Sequence, residues 1–225
     1  MDMCAAALGT DTGGSVRQPT AFCGVVGLKP TYSSVSRFGL TAFASSLDQI
    51  GPVTGNVRDN ALIFSIIAGK DGKDSTAADV KYDSQVTPVL KGRKIGVIRE
   101  QLRAPTLSRE VADDFEGALK ILSDAGAEIE YYDMPSFDAG IAAYFAISCA
   151  EATTNLARFD GIRYGRRAAG DSYAEICARS RGEGFGREVK LRLMTGAYVL
   201  SGENYEKYYV KSLKVRAAIA AALND

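Results

Sequence analysis

The sequence predicts an α/β fold, and three observations carry that prediction. Lys94-Ile95-Gly96-Val97-Ile98 is a short apolar run of buried-strand type, Val111, Phe115, Leu119 and Leu122 recur at helical spacing, and Ala127-Glu128-Ile129-Glu130-Tyr131 alternates as a half-buried strand does. Strand, helix and strand in that order make a β-α-β unit, which buries its faces only when helices pack on a sheet.

The remaining elements follow along the chain. Residues 1–55 are rich in Gly, Ser and Thr, with short apolar runs such as Val25-Val26-Gly27-Leu28, and read as strands and loops with a helix near Ser15. Asn56 caps the next helix with Asp59 at its third position, Leu62, Ile63, Ile66 and Ile67 make its expected buried face, and Gly69 stops it. The polar stretch 71–88 reads as a surface loop, and Ser108 caps the helix of the β-α-β unit, which runs to Gly126. From Phe137 onward helices are expected over 139–157, 173–181, 187–200 and 205–223, with Gly182, Gly184, Gly186 and Gly202 at the later boundaries. No repeat, low-complexity tract or linker interrupts the chain, so one domain over residues 1–225 is the simplest expectation.

Composition removes several classes of function. Lys and Arg together number 27, as do Asp and Glu, so there is no global field to attract nucleic acid or anionic lipid. Cys4, Cys23, Cys149 and Cys177 have neither metal-site spacing nor the density of a disulfide scaffold, which implies reduced thiols in a cytoplasmic setting and no metal. No apolar stretch is long enough to span a membrane, and residues 1–7 lack the basic start of a signal peptide. There is no histidine, which excludes a Ser-His-Asp triad within the chain and obliges any hydrolase here to use another base.

The chemistry concentrates in Gly9-Thr10-Asp11-Thr12-Gly13-Gly14-Ser15-Val16-Arg17-Gln18-Pro19. Ser15 follows two glycines and precedes a short apolar segment, so it fits a tight turn at a helix N-terminus. The backbone N–H groups of Thr12, Gly13, Gly14 and Ser15 can then point at a developing negative oxygen, each such donor being worth about 2.7–4 kcal/mol in a transition state. The same local composition also fits a phosphate-binding glycine loop or a plain helix cap.

All eleven residues together resemble the amidase-signature motif G-T/S-D-T-G-G-S-I/V-R-x-P, and the continuation Ala21-Phe22-Cys23-Gly24-Val25-Val26-Gly27-Leu28-Lys29-Pro30-Thr31 resembles that family too. The resemblance implies the amidase-signature fold, a mixed β-sheet flanked by α-helices. It also implies that Ser15 attacks an amide carbonyl, its proton passing to a serine in a cis peptide and on to a buried lysine. A lysine serves as such a base only when burial or positive potential lowers its pKa. The family's lysine and cis-serine both precede the motif, here preceded by fourteen residues, so neither is placed on this chain, and Lys29, which follows the motif, is not a substitute. Asp11 and Arg17 are implied to pair and hold the loop rather than to move protons, since an Asp–Arg pair keeps the aspartate ionised.

Further segments narrow the branch of the family. Ser45-Ser46-Leu47-Asp48-Gln49-Ile50-Gly51-Pro52, the stretch 151–165 and Gly184-Phe185-Gly186-Arg187-Glu188-Val189-Lys190 are similar to the glutaminase subunits of tRNA-dependent amidotransferases. That resemblance implies hydrolysis of glutamine, with the ammonia passed to a B subunit that uses ATP and Mg to amidate Glu-tRNA(Gln), and a C subunit tying the two together. It implies no cofactor bound by this chain and no membrane contact. By the same resemblance Tyr144 and Arg192 fall where the family holds glutamine, while the acidic partner lies beyond Asp225. Core packing for Tyr144 and a solvated helix face for Arg192 are the plain alternatives. The arginines from Arg158 to Arg192 read first as a solvated face and second as a tRNA or partner contact. Because the chain starts just before the motif and ends at Asn224-Asp225 without a final strand, a piece of a longer gene is expected. A stand-alone amidase and a non-catalytic binding piece remain the competing functions.

Overall fold

A computed structural model describes residues 4–85 and 89–224; the last three residues of the expected 71–88 loop lie outside them. The chain divides into two compact units, one formed by residues 1–86 and 144–210 and the other by residues 87–143 and 211–225.

In the first unit, strand β1 (Ala6–Asp11) runs into the Gly-Gly-Ser turn and then helix α1 (Arg17–Cys23), followed by the two-residue strand β2 (Val26–Gly27). Strand β3 (Gln49–Thr54) lies between β1 and β2, antiparallel to both. The β1–β3 register pairs Asp11 with Gln49, so the chain leaving β1 at Thr12 and the chain entering β3 from Asp48 meet at the sheet end. At Gly51 a β-carbon would stand 1.8 Å from the Leu28 carbonyl oxygen, so this close crossing of β3 by residue 28 requires glycine.

Helix α2 (Val57–Ile67) begins as expected, with the Asn56 side chain accepting from the Asp59 N–H at 2.9 Å. Its buried face differs from the expected one: Leu62 and Ile66 are exposed, and the buried residue is Asn60. The Asn60 amide donates to the carbonyls of Val26 and Pro52, and those two bonds, worth more than an apolar contact once the carbonyls are buried, fix the helix's rotation on β2 and β3. The polar stretch after Gly69 is irregular through residue 85, yet it is anchored, since Asp74 takes an ion pair from Arg37 at 2.9 Å.

The second unit holds the β-α-β element. Strands β4 (Lys94–Ile98) and β5 (Glu128–Tyr132) pair in parallel, with short helix α3 (Arg99–Leu102) and then helix α4 (Arg109–Asp124) between them. Ser108 caps α4 by accepting from the Val111 N–H. Val97, Leu119 and Ala127 are buried here, whereas Val111 and Phe115 are exposed. A sixteen-residue helix is about 24 Å long and two strands span only about 5 Å between axes, so the sheet covers one part of the helix. The antiparallel and parallel pairings expected of a mixed sheet are thus divided, among the described residues, between two small sheets.

Helix α5 (Gly140–Asn155), preceded by a 3-10 turn at Pro135–Ala139, passes from the second unit into the first at residue 144. Its stretch Ile147 to Ala152 lies in the core of the first unit, with Ile147, Ser148, Cys149, Ala150 and Ala152 all nearly inaccessible. Helix α6 (Tyr173–Gly184) is capped by Ser172, and helix α7 (Arg187–Val199) lies against α5. At Gly196 a β-carbon would sit 2.0 Å from the Cys149 carbonyl oxygen, and Thr153 donates to the carbonyls of Cys149 and Leu193. The final helical stretch opens as a π-helix over Tyr205–Val210 and continues as helix α8 (Lys211–Asn224), which packs on the Pro135–Ala139 turn.

Candidate active site

The turn at residues 12–16 is shaped by one buried carboxylate. Asp11 is 1% exposed and accepts from the N–H groups of Gly14 (2.7 Å), Val16 (3.2 Å) and Arg17 (3.3 Å), and from Arg17 Nε (3.0 Å) and Nη2 (3.1 Å). Burial pushes the Asp11 carboxyl up, but the Arg17 guanidinium and then the three N–H groups outweigh it and bring the pKa down to about 2. The Arg17 pKa is raised in return, first by that hydrogen bond. Around this anchor the chain bends through Gly14 at φ 119°, a conformation that disfavours a side chain, and α1 starts two residues after Ser15. Ser15 is therefore exposed at the top of the turn, ahead of the helix.

The four expected oxyanion donors are not equivalent. The Gly14 N–H is committed to Asp11 at 2.7 Å, because the carboxylate that holds the turn needs that donor, so Gly14 leaves the expected set. Thr12, Gly13 and Ser15 remain. Lys29 donates from Nζ to the Pro30 carbonyl (2.9 Å) and to Gln49 Oε1 (3.3 Å). Its pKa is lowered by burial first and by Arg17 second, with Asp11 opposing.

Tyr144 stands directly over the turn. A β-carbon added at Gly13 would lie 2.4 Å from the Tyr144 ring and 2.6 Å from its hydroxyl oxygen, so the ring occupies the space that glycine leaves. Arg192, on α7, is half-buried with its guanidinium 4.8 Å from the Phe145 ring and 5.8 Å from the Phe43 ring. It also pairs with Glu188 at 2.8 Å, the main cause of its raised pKa, and that partner is largely exposed. Arg192 is thus a stacked, oriented cation rather than a freely solvated one. The other arginines of this region divide: Arg166 and Arg179 pair with Glu183 at the surface, while Arg181 donates to the carbonyls of Leu156 and Phe159 and lies over Phe185.

With this geometry in hand, the comparisons with known proteins decide the family. The model of the Amidase family matches residues 1–225. The chain belongs to the amidase family. Curated relatives of the chain include the glutamyl-tRNA(Gln) amidotransferase A subunits of Macrococcus caseolyticus, 50% identical over 94% of the chain, and of Halothermothrix orenii, 51% identical over 95%. The solved Thermotoga maritima protein of the same name is 42% identical with a TM-score of 0.74, covering 99% of this chain and 44% of that one. The peptide amidase of Stenotrophomonas maltophilia shares the fold at 26% identity and a TM-score of 0.67, over 94% of this chain and 44% of that one. The chain spans about 45% of the length of the curated relatives it matches. The amidase-signature α/β fold expected from the motif is therefore the observed one.

Two features lie in segments that the sequence singles out only by resemblance, 45–52 and 151–165, without a role for the residues concerned. Asp48 is 3% exposed and accepts from the Thr12 hydroxyl (2.6 Å) and from the Phe43 (2.8 Å) and Ala44 (2.9 Å) N–H groups. On α5, Tyr144, Ser148, Glu151 and Asn155 fall at i, i+4, i+7 and i+11, one helical face. Glu151 accepts from the Ser46 N–H at 2.9 Å and from its hydroxyl, while Asn155 accepts from the Ser45 hydroxyl (3.1 Å) and donates to the Phe43 carbonyl (3.2 Å). A polar stripe at helical spacing along a largely apolar helix is the available signal. A cavity of about 600 Å³ in the same unit is lined by Arg37, Ser45, Asp48 and Arg158, among others, and its lining includes none of Ser15, Tyr144 and Arg192. Among the described residues, no helix is long and apolar enough to cross a membrane.

Proposed function

We propose that this chain carries the nucleophile and part of the substrate pocket of the glutaminase subunit of a glutamyl-tRNA(Gln) amidotransferase, forming one amidase-signature domain with the rest of its polypeptide. Ser15 Oγ attacks the side-chain amide carbon of glutamine and gives up its proton to the serine–lysine relay that the family resemblance places ahead of the motif. The tetrahedral oxygen accepts from the N–H groups of Thr12, Gly13 and Ser15. The C–N bond then breaks, ammonia leaves with the returned proton, and water hydrolyses the γ-glutamyl ester to glutamate and free Ser15.

The observation that supports this reading most is the seating of Tyr144 on Gly13, which puts a residue implied to hold glutamine within contact of the nucleophile turn. Arg192, oriented by two rings, supplies the cation for the α-carboxylate, and a paired, ionised Asp11 with Arg17 holds the turn instead of moving protons. Identity of 42–51% with the amidotransferase proteins, against 26% with the peptide amidase, favours glutamine over a peptide amide. In this reading the ammonia serves a B subunit that holds ATP and Mg and amidates Glu-tRNA(Gln), a C subunit joins the complex, and the assembly works in the cytoplasm without a cofactor on this chain.

The test is Ser15→Ala in the full-length complex. Glutamine hydrolysis should be abolished while amidation with free ammonium continues, because the second reaction belongs to another subunit. Near-normal glutamine turnover by Ser15→Ala would show that the nucleophile lies elsewhere.

A further inference from the structure

We infer that Asp48 is a positioning residue that sets the nucleophile turn in register with the substrate cation, an inference that rests on the glutaminase reading above. Its two oxygens serve two different parts of the site. Oδ1 takes the Thr12 hydroxyl at 2.6 Å, at the first residue of the turn whose N–H groups face the oxyanion. Oδ2 takes the N–H groups of Phe43 and Ala44, at 2.8 and 2.9 Å, and the Phe43 ring lies under Arg192 at 5.8 Å.

The arrangement follows from the sheet. Antiparallel pairing of Asp11 with Gln49 delivers Thr12 and Asp48 to the same end of β1 and β3, where neither has a further ladder bond to make. The 43–48 loop is then held from its other side by α5, through Asn155 on Phe43 and Ser45 and through Glu151 on Ser46, and by the Tyr32 hydroxyl on the Ser45 carbonyl at 2.8 Å. The same face of α5 carries Tyr144 onto Gly13. Asp48 is the group that ties this clamped loop to the turn, and a rigid loop transmits position only through such a tie. It acts on the site through Thr12 and Phe43.

Three variants in the full-length complex separate the two halves of the tie, with glutamine and free ammonium as alternative nitrogen donors. Thr12→Val removes only the Oδ1 bond and leaves the Phe43 and Ala44 bonds in place, so kcat with glutamine should fall about tenfold to a hundredfold at an unchanged KM, the loss typical of a misplaced catalytic donor. Asp48→Ala also frees Phe43 beneath Arg192, so kcat should fall similarly and KM for glutamine rise severalfold. Asp48→Asn can keep both Phe43 and Ala44 on its oxygen while its amide donates to the Thr12 oxygen, so it should recover kcat to within about tenfold of wild type and restore KM. Ammonium-dependent amidation should be retained in all three.

The inference is overturned if Thr12→Val leaves kcat unchanged, if Asp48→Asn is as damaged as Asp48→Ala, or if ammonium-dependent activity falls in step with glutamine. Ser15→Ala run alongside keeps the two ideas apart. A dead Ser15→Ala with normal Thr12→Val and Asp48→Ala defeats the positioning role alone, whereas an active Ser15→Ala defeats the glutaminase reading.

Discussion

Asp11→Asn is the substitution whose cost can be worked out most fully from the structure. Five hydrogen bonds converge on the Asp11 carboxylate, all from donors. The carboxyl falls from 3.8 to about 2, a preference for the charged form worth about 2 kcal/mol at roughly 1.4 kcal/mol per tenfold in acidity. The share contributed by Arg17, whose side chain is 52% exposed, is weakened by solvent screening, while the Val16 bond is buried and is not. An asparagine also brings an amide nitrogen into a ring of donors, leaving at least one buried N–H unsatisfied at about 1–3 kcal/mol. Together the expected loss is about 2–4 kcal/mol at pH 7, read by denaturant unfolding of wild type and variant. The folded-state pKa is depressed, so the wild-type advantage is complete above about pH 4 and is lost as the pH falls through about 2. The two stabilities should converge over that window. A difference below about 0.5 kcal/mol at pH 7, the range of an ordinary surface substitution, or a gap that stays constant on acidification, would refute the assignment of Asp11 as the ionised anchor of the turn.

Other consequences are open to direct measurement. Arg192→Ala in the full complex should weaken use of glutamine far more than use of ammonium, in paired kcat/KM determinations, because it removes the oriented cation proposed to hold the α-carboxylate. Gly13→Ala should cost glutamine-dependent activity at least about tenfold, and Tyr144→Ala, itself damaging to glutamine use, should add less than its own single-variant loss when combined with it, since the added methyl meets the Tyr144 ring at 2.4 Å; strict additivity of the two effects would contradict the contact. The polypeptide of residues 1–225 expressed alone should release no ammonia from glutamine above its Ser15→Ala control. Lys29, held on Pro30 and Gln49 with its pKa lowered by burial first, is the alternative base to test, and Ser15-dependent turnover that vanishes in Lys29→Met would reverse that expectation.

Much of this was legible in the residues. Local rules located Asn56 and Ser108 as caps because a cap is a contact three residues long, and the β4-α4-β5 unit because a short apolar run, a helical spacing and an alternating strand follow one another. The motif located the turn and the Asp11–Arg17 pair. What was not legible depended on partners remote in sequence. Leu62 and Ile66 look like a core face until Asn60 is seen to bond the Val26 and Pro52 carbonyls and so turn them outward. Asp48 sits 36 positions from Thr12, and nothing local marks an aspartate between Leu47 and Gln49 as the acceptor of three donors. Gly14 was expected among the oxyanion donors because composition cannot tell which N–H a neighbouring carboxylate will take.

The polar face of α5 has a consequence for which changes the site tolerates. Tyr144 and Asn155 are eleven residues apart, three turns along one rod, and each grips a different piece of the first unit. Substitutions at the intervening positions change contacts one at a time. Deleting a single residue between Tyr144 and Glu151 instead rotates everything beyond it by about 100°, putting the helix out of phase so that the tyrosine and the loop-gripping pair can no longer engage together. Length within this helix is therefore fixed more strictly than identity: a lineage can drift in side chains here, but a one-residue slip would uncouple the nucleophile turn from its loop in a single step.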